Sequence, residues 1–272
     1  MDNYEQLPFS RDGLTFAAYR GNNDGPALLF QHGLCGDSSQ TADVMPANMA
    51  HRHFALDCRG HGGSQPGPVE QFAIANFTDD LIAFIEQHIE APCMIGGISM
   101  GAAIALRLAV KRPDLVSALI LARPAWYFEA APPNLEPGAE VGRLLASHSA
   151  AEARQKFLAS PTAAMLKDIA PDNLVSLMNM FERAPQRVTA ELLTRISAEG
   201  PGVSTADIAA LNLPALVIAT GEDFVHPVLL ADNLAAAIPG AKRVVITSKS
   251  VDASAYTREF RATLQNFLKD QC

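Results

Sequence analysis

The sequence predicts an α/β fold, a mostly parallel central sheet flanked by helices with a helical cap inserted between two sheet strands. Three observations predict it. Short apolar runs alternate with segments of helical periodicity along most of the chain. Several of those runs end directly in glycine-rich turns. Finally, the 272 residues are 49% hydrophobic and 18% charged, which suits a well-buried core rather than disorder.

The elements follow in order. Residues 14–19 read as an early strand that ends at Arg20-Gly21, and residues 27–31 as a buried strand running into His32-Gly33-Leu34-Cys35-Gly36. Residues 53–57 are another strand, followed by Cys58-Arg59-Gly60-His61-Gly62-Gly63-Ser64. Between 76 and 89, Leu81, Ile82, Ile85 and Ile89 recur at helical spacing, with Thr78 or Asn76 placed to cap. Residues 93–98 form the strand that delivers Ser99, and residues 100–111 the helix after it. Strands at 116–121, 216–220 and 244–247 complete the sheet. Tyr256, Phe260, Leu264, Phe267 and Leu268 line one face of a terminal helix.

From 126 to 207 the alternation stops, leaving helical patterns separated by Pro132, Pro133, Pro137, Pro161, Pro171, Pro185 and Pro201. The expected organisation is therefore a core of residues 1–125 and 208–272 carrying a cap, or lid, of residues 126–207. Its aromatic and methionine side chains, Trp126 and Met180 among them, are placed to roof an apolar pocket or simply to hold helices to the core.

Composition narrows the partners. A net charge of −8 disfavours nucleic acid and anionic membranes. The start, Met1-Asp2-Asn3-Tyr4-Glu5, has neither the basic nor the apolar region of a signal peptide, and no apolar run reaches the roughly 20 residues of a bilayer span. Cys35, Cys58, Cys93 and Cys272 lack metal-ligand spacing and read as reduced thiols. The expectation is a cytoplasmic protein with a small-molecule substrate or ligand, needing no metal and no cofactor. A homodimer is the oligomer left open.

The chemistry centres on Gly97-Ile98-Ser99-Met100-Gly101, the G-x-S-x-G pattern that mounts a nucleophilic serine on a strained strand-to-helix turn. The glycines leave room for the turn, and the helix that starts at Met100 aims its first amides at a developing oxyanion. The alternative is a serine that merely caps that helix. Taken in order, the His32–Gly36 segment, the Asp57–Ser64 segment, the serine pentapeptide and Gly221-Glu222-Asp223-Phe224-Val225-His226-Pro227 each follow a predicted strand. On these motifs the chain resembles the α/β-hydrolase family over essentially its whole length.

The resemblance implies Ser99 as nucleophile, Asp223 as the acid that orients a histidine, and the backbone amides of Leu34 and Met100 as oxyanion donors. Asp223 has an alternative role as helix cap. His32 and Gly33 would shape the oxyanion loop beside the substrate, where Arg123 and Trp126 are also expected. Arg123 would bind a substrate carboxylate, hold Asp223, or anchor the insertion. His61 belongs to a structural turn.

One position departs from the family. Its histidine follows the last strand, but no histidine follows His226, and Ser250 stands at the expected place. Three groups are candidate substitutes. His226 is expected on a helix start beside the acid rather than across from Ser99, Lys249 would need burial to lower its pKa, and His148 would have to swing over from the insertion.

Two functions follow. The first is a serine hydrolase for a small ester, lactone or related acyl compound, with an unconventional or missing base. The second is a degenerate member of the fold that binds a small molecule without turnover, and Ser250 is the residue that favours it. A replaced histidine at 250 is the third account of that serine.

Overall fold

In the computed structural model, residues 3–271 are described; Met1 and Asp2 of the N-terminal segment and the fourth cysteine, Cys272, lie outside them. Eight strands form one sheet: β1 (Tyr4–Arg11), β2 (Leu14–Gly21), β3 (Ala27–Gln31), β4 (Arg52–Leu56), β5 (Cys93–Ile98), β6 (Val116–Ala122), β7 (Ala215–Thr220) and β8 (Lys242–Ile246). Their order across the sheet is β1-β2-β4-β3-β5-β6-β7-β8. The β1–β2 and β2–β4 pairings are antiparallel and every later pairing is parallel. This is an α/β-hydrolase fold.

Strand β1 is an addition to the expected set. Only Leu7 and Phe9 of it turn into the core, and Pro8 lies between them. A proline reads as a strand breaker in the middle of a sheet, but β1 is an edge strand, where a missing N–H costs no ladder bond. The hairpin to β2 closes through Asp12 and Gly13, both at positive φ (54° and 76°), the turn chemistry that matches strand twist.

Helices α1 (Ser38–Ala42), α2 (Ile74–His88) and α3 (Met100–Lys111) connect the first half of the sheet. The start of α2 falls ahead of both expected caps. Thr78 Oγ1 instead bonds back to the Ile74 carbonyl inside the helix, and Asn76 donates to the Gln71 carbonyl. Between β6 and β7 the chain forms α4 (Glu136–Ser147), α5 (Ala150–Leu158), α6 (Pro161–Ile169), α7 (Pro171–Asn179), α8 (Gln186–Ser197) and α9 (Thr205–Ala209). Prolines at the starts of α6 and α7 cost nothing there, because a first-turn N–H has no helical partner. Two helices finish the fold, α10 (Val228–Ala237) and α11 (Ala253–Lys269), the latter burying Tyr256, Phe260, Leu264, Phe267 and Leu268. Among the described residues no helix is long and apolar enough to cross a membrane.

The topology fixes where a ligand fits. From β3 the chain moves outward to β4, then crosses back to β5 on the other side of β3. At that reversal the loops after β3 and β5 diverge and leave a crevice at the carboxyl edge of the sheet.

Candidate active site

The serine turn is set by close packing. A Cβ on Gly97 would lie 2.4 Å from the Gly101 carbonyl carbon, and one on Gly101 would lie 2.2 Å from the Gln31 carbonyl oxygen. Only glycine lets α3 pass this close to β3 and β5. Ser99 between them adopts φ 57° and ψ −112°, a conformation that costs a non-glycine residue about 1–3 kcal/mol. It occupies the cap position of α3, yet its hydroxyl makes no capping bond. Ser99 Oγ lies 2.8 Å from Nε2 of His226.

Here the sequence expectation is corrected. His226 does not sit beside the acid facing away from the serine; it bridges the two. Helix α10 begins only at Val228, so residues 221–227 form a turn rather than a helix start. The Asp223 carboxylate closes that turn by accepting the His226 backbone N–H at 3.0 Å, which also rules out Asp223 as the cap of α10. The same closure folds the imidazole back, with Nδ1 2.9 Å from Asp223 Oδ1. With Nδ1–H donating to the carboxylate, Nε2 is left as the acceptor for the serine hydroxyl.

Other elements hold the carboxylate. Arg123 donates to Oδ2 through Nε at 3.0 Å and Nη2 at 2.6 Å. Asn173 of α7 donates to Oδ1 at 3.0 Å and accepts the Val225 N–H at 3.0 Å. Asn134, just before α4, donates to the Val225 carbonyl at 2.7 Å. Both asparagines come from the inserted helices, and neither was among the expected site residues. A short polar side chain gives no periodicity signal, so only the tertiary contact shows its use.

Burial would push the Asp223 carboxyl up, but the charges and hydrogen bonds of His226 and Arg123 outweigh it and hold the group well below the ordinary carboxylate range. For Arg123 burial works downward, and the Asp223 carboxylate reverses it to a net rise. His226 ends below the ordinary histidine value: its burial and the nearby Arg123 cation together exceed the pull of Asp223.

The remaining expected residues divide cleanly. Leu34 and Gly33 line the crevice, and Met100 begins the buried helix behind Ser99. Trp126 lines it too, its Nε1–H donating to the Glu199 carbonyl at 2.8 Å. His32 lies behind the loop, not in the crevice: it is buried, with Nδ1 2.8 Å from the Gly33 carbonyl and Nε2 accepting the Cys58 N–H at 3.0 Å. Those two bonds fix the turn into which Arg183 also donates, at the Cys35 carbonyl. His61 is likewise buried, against the Arg59 carbonyl.

Ser250 does not reach Ser99. Its hydroxyl donates to Glu222 at 2.9 Å and lies 3.1 Å from Ser248 Oγ. Lys249 rests its ammonium over the Tyr256 ring, 5.0 Å from the centroid. Neither residue lines the crevice, and neither does His148. Arg123 lines it, but its guanidinium is committed to Asp223.

Fold and site together define an α/β hydrolase. The sequence profile of the serine aminopeptidase, S33 family matches residues 24–250, and the chain belongs to that family. Among its relatives, the sn-1-specific diacylglycerol lipase ABHD11 of Mus musculus is 30% identical over 146 residues, 53% of this chain and 45% of that protein. The chain thus matches less than half the length of that relative. A Pseudomonas savastanoi protein provisionally named carbamate hydrolase RutD is 28% identical across 91% of this chain and 95% of its own. The crystal structure of the enol-lactonase from Burkholderia xenovorans LB400 superposes with a TM-score of 0.70 at 22% identity, covering 95% of this chain and 99% of the other.

Proposed function

We propose that this protein is a serine hydrolase for a small, uncharged ester, lactone or related acyl compound, with Ser99 as nucleophile, His226 as general base and Asp223 as the acid that orients it. The observation that carries the reading is the continuous chain of contacts from Ser99 Oγ to His226 Nε2 and from His226 Nδ1 to Asp223. The alternative, a ligand-binding protein, rested on Ser250 and on the absence of any histidine after His226. With His226 itself against the serine, that ground is gone.

In this reading Ser99 Oγ bonds to the acyl carbon as its proton passes to His226 Nε2. The carbonyl oxygen becomes an oxyanion facing the amides of Leu34 and Met100, the latter at the positive end of α3. The tetrahedral centre collapses, the bond to the leaving oxygen breaks, and His226 returns the proton to that oxygen. Water then repeats the sequence on the acyl-enzyme, releasing the acid and restoring Ser99. Asp223 stays ionised throughout and stabilises the imidazolium. The inserted helices act as the cap that excludes bulk water, and their Asn173 ties cap position to the acid.

The test pairs turnover with labelling. Steady release of p-nitrophenol from p-nitrophenyl butyrate is expected, together with one-to-one labelling by a fluorophosphonate on the peptide that holds Ser99. Ser99→Ala should abolish both. Turnover that survives Ser99→Ala would sink the proposal.

A further inference from the structure

The loop that carries Leu34 is a strained turn. Gly36 donates its N–H back to the Gly33 carbonyl at 3.0 Å, closing a four-residue turn, and Cys35 at the third position adopts φ 59°. A positive φ at that position belongs to the type II turn and favours glycine, because a side chain crowds the left-handed conformation. Here a buried cysteine in the crevice wall takes it. Such strain persists only where the surroundings hold it. At the start of the turn, Gln40 Oε1 accepts the Gly33 N–H at 2.7 Å. The strained residue itself is held from the inserted helices: Arg183 Nη1 donates to the Cys35 carbonyl at 2.5 Å.

That bond is the main commitment of the arginine. Its Nε is buried without an acceptor, and the Cys35 carbonyl is the one hydrogen-bond partner of its guanidinium among the described residues. Arg183 does not line the crevice, so its action on a reaction there runs through the turn. A charge-assisted bond is stronger than a neutral one and suits the task of holding a strained carbonyl. Released, Cys35 relaxes to the right-handed region by flipping the Leu34–Cys35 peptide, and Leu34 leaves the position in which its N–H can meet an oxyanion. Among the described residues no hydrogen bond takes up that N–H. The same stretch of cap reaches the other half of the site. Asn173 holds Asp223 and Val225, and Leu177 and Met180, between Asn173 and Arg183, line the crevice.

We propose that Arg183 is the positioning residue of the oxyanion loop. It holds Cys35 in its strained conformation and so keeps the Leu34 N–H in place for the transition state, without touching substrate. The proposal rests on the hydrolase reading and deepens it, since the seated cap becomes part of the catalytic apparatus. Its consequence is a division of costs: loss of Arg183 falls on the transition state and spares substrate binding.

The experiment measures kcat and KM on p-nitrophenyl butyrate, and affinity for propyl trifluoromethyl ketone, in the native chain, Arg183→Met, Cys35→Gly and the double variant. Ser99 Oγ adds to the carbonyl carbon of that ketone, its proton passes to His226, and the carbonyl oxygen becomes an oxyanion, so the adduct reports on the donors. Arg183→Met should lower kcat about 10- to 100-fold, less than outright deletion of an oxyanion donor, while KM stays within about threefold. Ketone affinity should fall by a similar factor. Glycine adopts a positive φ without strain, so in the Cys35→Gly background the cost of Arg183→Met should shrink to under about threefold. A kcat within about threefold of native in Arg183→Met, a loss confined to KM, or an equal loss in both backgrounds would overturn the proposal; the last is what general damage to the cap produces. The two readings fail separately. A native chain without turnover through Ser99 removes the hydrolase reading and this proposal with it, whereas native turnover with any of those three outcomes removes the proposal alone.

Discussion

Strands β7 and β8 lie side by side, run parallel, and end in loops of similar length at the same edge of the sheet. The family resemblance distributes the acid and the histidine between those two loops. In this protein the loop after β7 holds both, Asp223 and His226, whereas the loop after β8 holds neither. The β8 loop is instead built of surface contacts: Ser250 to Glu222, Lys249 over Tyr256, and the Thr247 N–H to Glu259 at 2.7 Å. The difference teaches that a serine–histidine–acid constellation is a geometric object. Any loop that can place an imidazole between the hydroxyl and the carboxylate supplies it, whatever its place in chain order.

Three predictions bear on this contrast, and the largest is loss of the base proposed in the β7 loop. In His226→Ala the turnover number should fall about a million-fold, roughly 8 kcal/mol of barrier, leaving only oxyanion and binding contributions. Lys249→Ala should change it by less than about threefold. The contrast breaks if the two variants, compared on p-nitrophenyl butyrate, lose activity alike.

A second, smaller effect sharpens it by asking what tunes that base. Arg123→Met removes two hydrogen bonds to the Asp223 carboxylate and a cation beside the imidazole. Charged hydrogen bonds of this kind are worth about 1.5–3 kcal/mol each, and because Asn173 and His226 still hold the carboxylate, a loss equivalent to about one of them, roughly 10- to 100-fold in kcat/KM, is expected. The base must be neutral to act, so the rate rises with pH through its pKa. In the native protein, burial and Arg123 hold that pKa below the usual histidine value, and activity should persist into mildly acidic solution. Without the arginine the pKa rises, and the acid limb of the kcat/KM profile should move to higher pH. A limb that stays in place, or moves down, would show that Arg123 does not tune His226.

How much of this was legible in the sequence depends on the kind of signal. The glycines around Ser99 were readable because a Cβ on Gly97 would run into the Gly101 carbonyl four residues on, a demand made within the pentapeptide itself. Seven strands were readable from apolar runs. Strand β1 was not, because a half-exposed edge with a central proline shows neither a run nor a clean alternation. The place of His226 was hidden for a different reason. Whether Asp223-Phe224-Val225-His226 opens a helix or closes a turn depends on Asn134 and Asn173 holding the Val225 backbone, contacts that span 91 and 52 residues. Without those anchors the aspartate reads equally well as a helix cap.

The smallest expected effect is the most direct challenge to the contrast between the loops. Ser250→Ala removes a surface hydrogen bond to Glu222 and should alter turnover on p-nitrophenyl butyrate by less than about twofold. Ser250→His restores the residue type that the family places after its last strand, and in the native background it should add nothing, because Nε2 of His226 already holds the serine hydroxyl. The informative protein is the double variant His226→Ala, Ser250→His. The Asp223 carboxylate would still be occupied by Arg123 on one oxygen and by Asn173 and the residue 226 backbone N–H on the other. An imidazole arriving from the β8 loop would therefore have to displace one of these bonds before it could be oriented. Recovery should stay under about tenfold over His226→Ala alone. Recovery beyond about a hundredfold would show that the β8 loop reaches the site unaided. The contrast would then reduce to which residue occupies each loop, rather than to how each loop is held.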